Sequence, residues 1–171
     1  MINYLFNSIL LGLGVFPLVS ANLPIKIFCG SSTDTYCVSG CTSYTDTKLP
    51  PTNPTLVYNP FGGPIHYQVP LPTGVYFGWI TFIEPNKTAA GQRLLSVQIN
   101  GGQKSLPVDI FSLAGGDDKI YQFTFIGQVD TNVLDFVVTS QPGANPIISQ
   151  ITIVGAAIDK QILLDVQLQL K

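Results

Sequence analysis

Few side chains in this sequence could carry acid–base or nucleophilic chemistry. His66 is the single histidine and Glu84 the single glutamate of the chain. A Ser/His/Asp hydrolase would need His66 as its base, but His66 alternates with apolar residues as in a solvent-facing strand, and no nucleophile-elbow motif is present. Glycoside cleavage needs two facing carboxylates, whereas Glu84 closes a predicted strand and most aspartates fall in predicted turns. The sequence therefore predicts a protein that is not an enzyme.

Side chains that could hold a metal ion are equally sparse. Asp117 and Asp118 follow Gly115 and Gly116 and could offer carboxylate oxygens to calcium, but Gly-Gly-Asp-Asp is also typical of a turn, and we interpret it as one. Structural zinc usually takes four ligands, and His66 is distant in sequence from the three cysteines. The sequence has no Gly-rich phosphate loop. We therefore expect neither a metal nor a cofactor.

The three cysteines would form a disulfide in an oxidising compartment. Cys29, Cys37 and Cys41 lie close together near the start of the expected mature chain. In such a compartment we expect one disulfide among them, which leaves one thiol over. The sequence does not indicate which pair forms.

Residues 1–21 have the pattern of a signal peptide. The apolar run Leu5–Val19 is too short and too interrupted for a membrane anchor, and Val19 and Ala21 suit a cleavage site. No Lys or Arg precedes Leu5, so an uncleaved leader is the alternative. We expect export to the extracellular space, with the endoplasmic reticulum lumen as the other possibility, and no membrane span after cleavage.

Composition and charge narrow the class of partner. Hydrophobic residues make up 46% and charged residues 11% of the 171 positions, which is typical of one globular domain, here predicted over 22–155. The net charge is −2, and the eight Lys and Arg residues are scattered. Because no basic stripe is available to neutralise phosphates, nucleic acid is not expected as a partner.

The apolar residues follow a period of two rather than 3.6. We predict seven or eight strands, with Val75–Glu84 as a central strand covered on both faces and a hairpin at Asn100-Gly101 leading to a return strand near Leu106–Phe111. No helix is predicted before the last fifteen residues. The fold class is all-β, an antiparallel β-sandwich or jelly roll. Four aromatic residues are assigned to its core: Trp79, Phe82, Phe123 and Phe125.

Two segments are less regular. The Pro-rich stretch Lys48–Pro60 is interpreted as a surface loop. The tail, 156–171, alternates apolar and polar residues through Val166–Leu170 but also fits one helical face, so we predict either an edge strand or a short helix there.

A set of motifs in the chain resembles the signature of malectin-type domains. These are Phe82–Pro85 with Thr88–Arg93, then Asn100-Gly101 and Asp109–Phe111 before Ala114-Gly115; Cys29-Gly30-Ser31 and Tyr44–Asp46 upstream; and Asn145-Pro146 with Ile148-Ser149 downstream. The resemblance implies a β-sandwich, lectin-like module that binds a carbohydrate or glycoprotein through its loops. Such modules occur in the endoplasmic reticulum lumen, in receptor ectodomains and in extracellular enzymes.

The family's sugar-binding residues carry over only in part. Its two aromatics after Phe-x-Glu correspond to Asn86 and Lys87, and its acidic residue before Asn-Pro corresponds to Ala144. A further aromatic corresponds to Phe61, with Tyr58 nearby. The resemblance thus implies a carbohydrate site at Tyr58, Phe61, Asn86, Lys87 and Asn145.

Asn86-Lys87-Thr88 is also an N-glycosylation sequon. A glycan on Asn86 would crowd the loop that grips sugar in the family. The alternative function is a secreted protein-interaction domain that has kept the sandwich and lost the sugar site.

Overall fold

A computed structural model describes residues 23–45 and 55–154. The predicted signal peptide and the predicted tail strand or helix at 156–171 lie outside the described residues. The described part contains twelve strands and one short helix. Their bounds are β1 Ile25–Phe28, β2 Cys37–Ser39, β3 Thr42–Thr45, β4 Thr55–Tyr58, β5 Ile65–Pro70, β6 Gly74–Ile83, β7 Leu94–Ile99, β8 Val108–Asp109, α1 Ile110–Ala114, β9 Ile120–Val129, β10 Val133–Ser140, β11 Ile147–Ile148 and β12 Gln150–Ile153.

The strands form antiparallel sheets, which confirms the predicted all-β sandwich. One sheet has the order β1-β12-β6-β9, a second β2-β5-β10-β7-β8, and a small third sheet β11-β4-β3. The first two sheets, called here sheet A and sheet B, contribute most of the buried apolar side chains to a single core. Phe125 of sheet A meets Phe136 of sheet B edge to face, with ring centroids 5.0 Å apart. The alternating rows predicted from the sequence thus pack between two layers.

Alternation along β6 explains which residues face this core. Tyr76, Ile80 and Phe82 are almost fully buried and point into the sandwich, whereas Phe77 on the opposite face is 47% exposed. The prediction that this strand is covered on both faces is therefore wrong at Phe77, although Val75, Thr81 and Ile83 on the same face are buried. Trp79, which was assigned to the core, shares the parity of Phe77 and is only half-buried. Period-two alternation fixes which residues share a face, but not which of two apolar faces is covered.

The remaining core assignments hold. Phe82 and Phe125 are buried, and the half-buried Phe123 packs against the core cluster. The prediction of seven or eight strands was too low, because several strands of two to four residues are too short to show a period. One of them, Thr55–Tyr58, lies in the stretch that was interpreted as a surface loop.

The Asn100-Gly101 turn forms as predicted. Both residues have positive φ, 50° and 66°, and the Gly102 N–H donates to the Ile99 carbonyl. This is the turn geometry that Asn and Gly tolerate at little steric cost. The expected return strand, however, shrinks to two residues and is followed by helix α1. Asp109 caps this helix by accepting the Ser112 N–H, and Gly115 ends it at φ 82°.

The cysteine pairing left open by the sequence is Cys37 with Cys41. Cys29 is the free thiol, and it is fully buried beside Tyr67. The Tyr67 hydroxyl donates to the Asp34 carboxylate at 2.5 Å. Burial raises the pKa of both Cys29 and Tyr67 well above their usual values. The thiol is therefore protonated and shielded, as expected of a structural rather than a reactive cysteine.

Candidate functional site

Three loops meet at one end of the sandwich, called here the loop end: residues 59–64, 84–93 and 141–146. They meet there because β5 and β7 begin, and β6 and β10 end, on the same side of the two sheets. The Gln141 side chain joins two of the loops, since its Oε1 accepts the Leu94 N–H and its Nε2 donates to the Gly91 carbonyl. The predicted carbohydrate site falls on this end.

A buried ion pair anchors the middle loop. Both oxygens of Glu84 lie 2.7 Å from Nη1 of Arg93, and Glu84 Oε1 also accepts the N–H groups of Asn86 and Lys87. Glu84 is fully buried and Arg93 is 7% exposed. These bonds fold residues 84–93 around one carboxylate and fix the direction in which the loop leaves β6.

The same geometry limits what Glu84 can do chemically. Burial lowers the pKa of Arg93, and the neighbouring Glu84 carboxylate opposes that shift. A carboxylate held by a guanidinium and two backbone N–H groups has few acceptor positions left for a substrate proton. Glu84 therefore acts as a positioning residue for the loop.

Phe61 stands at the tip of the first loop. The Asn59 side chain accepts the Phe61 N–H and donates to the Pro64 carbonyl, and the Gly62 N–H donates to the Asn59 carbonyl. This tight turn, which contains Gly62 at φ 73°, presents the Phe61 ring to solvent, where it is 94% exposed. A ring held this far out of the core is available to a partner.

The third loop lies directly against this turn. A side chain at Gly62 would place its Cβ 3.8 Å from the Ala144 carbonyl oxygen and 3.9 Å from Asn145 Oδ1. Ala144 is buried and its carbonyl accepts the Ser140 hydroxyl, whereas Asn145 is half-buried. The structure therefore places Gly62, the residue after Phe61, close to Asn145.

The other predicted site residues lie on β4 and on the loop 84–93. Tyr58 is half-buried in β4 and packs edge to face on Tyr44, with ring centroids 6.3 Å apart, so much of its ring is used inside the protein. Asn86 is exposed and Lys87 half-buried in the loop around Glu84. The exposed Asn86 side chain is compatible with the predicted glycosylation.

A second group of polar residues, missed in the sequence, lies at the opposite end. Gln68, Asn100, Gln128, Asp130 and Asp135 line a cleft of about 480 Å³, called here the polar cleft. Asp135 Oδ1 accepts from the half-buried His66 at 2.6 Å and from Gln68 at 3.0 Å. The polar residues alternating through β5 and β10 signal an outer face, but strand register is needed to place them side by side.

A shallower cleft of about 380 Å³ lies beside the disulfide. Asp34, Ser39 and Ser43 line it together with Cys37 and Cys41. Asp34 already accepts hydrogen bonds from the Gly30 N–H and from Tyr67, so its carboxylate stabilises the fold.

Within 23–45 and 55–154, no group of three or more His, Cys, Asp or Glu side chains is placed to hold a metal ion. Nor does this part of the chain contain a helix long and apolar enough to cross a membrane.

Comparisons with known proteins find solved structures of similar fold at low sequence identity. No protein-family model and no curated protein matches the sequence. The ANX1 ectodomain of Arabidopsis thaliana matches with a TM-score of 0.64 at 12% identity, over 80% of this chain and 49% of that chain. The ANXUR2 extracellular domain of the same plant matches with 0.63 at 13%, over 80% and 50%. A beta-glucuronidase of Bacteroides uniformis matches with 0.62 at 16%, over 80% and 18%.

These likenesses concern the fold. The chain spans about half the length of the two plant ectodomains. At these identities the matches show a shared β-sandwich fold alone.

Proposed function

We propose that this protein is a secreted, non-catalytic carbohydrate-binding module of the malectin type, which recognises glycans through the loop end. The observation that carries the proposal is the Phe61 residue, 94% exposed on a hydrogen-bonded turn whose Gly62 lies close to the Asn145 amide. The match to plant receptor ectodomains and the Cys37–Cys41 disulfide support an extracellular location.

The chemistry of sugars fits this pair of side chains. A pyranose ring has an apolar face that packs on an aromatic ring, and hydroxyls that bond amide and backbone groups. Phe61 offers the apolar surface, and Asn145, close to the same turn at Gly62, offers an amide donor and an amide acceptor. Asn86 and Lys87 would add polar contacts from the neighbouring loop. An open surface of this kind suits the end or side of a glycan chain.

The same residues argue against catalysis. Glu84, the only glutamate, is fully buried and paired with Arg93. His66 bonds Asp135 on the outer face of sheet B rather than on the loop end. The beta-glucuronidase match extends over 18% of that chain, so it supports a shared fold and no shared reaction.

A titration with glucose oligosaccharides, followed by a glycan array, tests the proposal. We expect Phe61→Ala to weaken binding at least about tenfold, because the exposed ring is the main apolar contact. Leu106→Ala is the matched control, since Leu106 is 86% exposed and lies outside the three loops, so its loss should leave affinity unchanged. Absence of binding at millimolar sugar, or an equal loss in both variants, would refute the proposal.

A protein-interaction domain is the second candidate. It is favoured by the absence of the family's sugar-binding side chains at Asn86, Lys87 and Ala144. On that account, a protein partner recovered in pull-downs should bind Phe61→Ala as well as it binds the unaltered chain. Glycosylation of Asn86 would favour the same candidate, because the glycan would cover part of the loop end.

A further inference from the structure

The outer face of sheet A, which points away from the core, is aromatic and open along the middle of β6. Phe77 is 47% exposed, and Trp79, two residues further on, is half-buried on the same face. Val75 and Thr81, the residues of this face on either side of them, are buried. The two rings therefore lie about 7 Å apart along the strand, between covered positions.

Strand register shows what surrounds the two rings. On β9, Ile126 lies opposite Phe77 and is 71% exposed. Thr124 lies opposite Trp79 and is also exposed, whereas on β12 the buried Thr152 lies opposite Trp79. Residues directly opposite each other in an antiparallel pair share a face. Phe77, Trp79 and Ile126 thus form one exposed apolar surface, called here the aromatic patch.

Amide and hydroxyl side chains border the aromatic patch. Gln150 on β12 and Gln122 on β9 lie opposite Thr81 from its two sides. Gln122 and Thr124 are exposed, and the Gln150 Nε2 donates to the Thr152 hydroxyl. The patch is therefore an apolar centre beside groups that can donate hydrogen bonds to the hydroxyls of a ligand and accept hydrogen bonds from them.

The four strands of sheet A carry a single charged residue, Lys26 on β1. It lies opposite Thr152, on the far side of that residue from Trp79. A cationic partner would find no carboxylate on these four strands, and an anionic partner would find only Lys26. The charges of this face therefore favour a neutral ligand.

The size of the aromatic patch distinguishes a small ligand from a protein partner. A fully covered Phe or Trp contributes about 150–250 Å². Phe77, at 47% exposure, and the half-buried Trp79 therefore offer on the order of 150 Å² together, and Ile126 adds about 100 Å². A stable protein interface takes about 800 Å² from each partner. The patch falls well short of that area, but it matches the flat apolar faces of a few sugar rings.

The aromatic patch is separate from the loop end. Strand β6 reaches the loop end at Ile83, four residues beyond Trp79 and six beyond Phe77. At the rise of a β-strand, these two residues lie about 13 Å and 20 Å from that end. A ligand on the patch therefore occupies a different site from one held at Phe61.

We propose that the aromatic patch is a second glycan-binding site, which takes an extended chain of neutral sugars. The apolar faces of successive pyranose rings stack on Phe77 and Trp79, and sugar hydroxyls bond the exposed side chains of Gln122 and Thr124. Because both aromatic rings are partly covered, this site is weaker than the loop end. The two sites share no residue, so this proposal and the proposed function can fail separately.

Trp79 is the only tryptophan of the chain, so its fluorescence reports on the aromatic patch directly. The full chain is titrated with cellohexaose and, separately, with glucose. We expect the Trp79 emission to shift to shorter wavelength and to saturate with cellohexaose, since the sugar excludes water from the ring. Glucose should bind at least about tenfold more weakly, because one sugar covers only one of the two aromatic rings.

Three variants locate the signal. Phe77→Ala should weaken the cellohexaose affinity read from Trp79 at least about tenfold, because it removes one stacking ring. Val38→Ala is the matched control, since Val38 is an apolar strand residue of similar exposure, 54%, on sheet B, and its loss should leave this affinity unchanged. Phe61→Ala should also leave the Trp79 signal unchanged, which separates the patch from the loop end.

Three results would overturn the proposal. The first is an unchanged Trp79 emission at millimolar cellohexaose. The second is a cellohexaose response that survives Phe77→Ala or that Phe61→Ala abolishes, since the signal would then come from elsewhere. The third is an emission that changes with protein concentration in the absence of sugar, together with a dimer mass by light scattering, which would assign the patch to a second copy of the protein instead.

Discussion

The two ends of the sandwich are built from different interactions. The loop end is braced from inside by the fully buried Glu84 and its partner Arg93, and it carries an exposed aromatic ring, Phe61. The polar cleft at the other end is braced at its surface, where Asn100 and Asp135 bond neighbouring strands, and no aromatic residue lines it. Burial of the bracing charges leaves the surface of the loop end free for a ligand. In the polar cleft the polar groups already form hydrogen bonds with one another.

The largest loss of stability should come from removing the buried Glu84–Arg93 ion pair at the loop end. Arg93→Leu leaves the Glu84 carboxylate buried without its partner, and loss of one member of a buried pair costs about 3–5 kcal/mol. The free energy of unfolding, measured with urea and Trp79 fluorescence, should fall by this amount. Lys104→Leu alters an exposed cation near the polar cleft and should change it by less than about 0.5 kcal/mol. Equally small losses of stability in Arg93→Leu and Lys104→Leu would show that the Glu84–Arg93 pair does not stabilise the fold.

The stability of the protein at high pH should report the burial of Cys29 and Tyr67. Burial raises the folded-state pKa of Cys29 and Tyr67, so both stay protonated in the fold, while the unfolded chain releases their protons from about pH 9 and pH 10 upward. The contribution of these two groups to stability should therefore be constant below pH 8 and fall above pH 9, by up to about 1.4 kcal/mol per pH unit for each group.

Cys29→Ala is the control for this dependence. It removes one of the two titrating groups, so the decline above pH 9 should become shallower in denaturant titrations repeated at each pH. A decline with the same slope in the variant would mean that Cys29 ionises equally in both states and is not shielded.

The smallest loss of stability should come from a substitution in the polar cleft. Asn100→Ala removes the acceptor for the Asp135 N–H at 2.7 Å and the donor to Gln128, and it places Ala at φ 50°. Because these bonds are exposed to water, we expect a loss of about 1–2 kcal/mol, less than for Arg93→Leu. Gln103→Ala, in the same turn region and exposed, should be neutral in the same unfolding assay. A loss larger than that of Arg93→Leu would reverse the comparison.

Much of the fold was predictable because its period is two. The alternation at Ile65–Val69 and Val133–Val138, and the Asn-Gly turn at 100, give strands and a hairpin from local chemistry alone. Helix α1 was missed because five residues are too few to show a helical period, although Asp109 and Gly115 are its caps. Trp79 was misplaced because both faces of β6 are apolar.

The site was harder to predict. The disulfide partner of Cys37 and the shielding of Cys29 depend on which strands become neighbours. The pairing of Glu84 with Arg93 was also invisible, since nine residues separate them and only the folded loop brings them together. The exposure of Phe61 follows from the turn at Asn59, whereas Tyr58, three residues away, turns out to pack on Tyr44.

The most direct test of the central claim is a chemical-shift map of the amides during titration with a glucose oligosaccharide. We predict that the largest changes fall on residues 59–64, 84–93 and 141–146, and that the amides around Asn100 and Asp135 do not move. Changes confined to the polar cleft, or none at saturating sugar, would contradict the assignment of glycan recognition to the loop end.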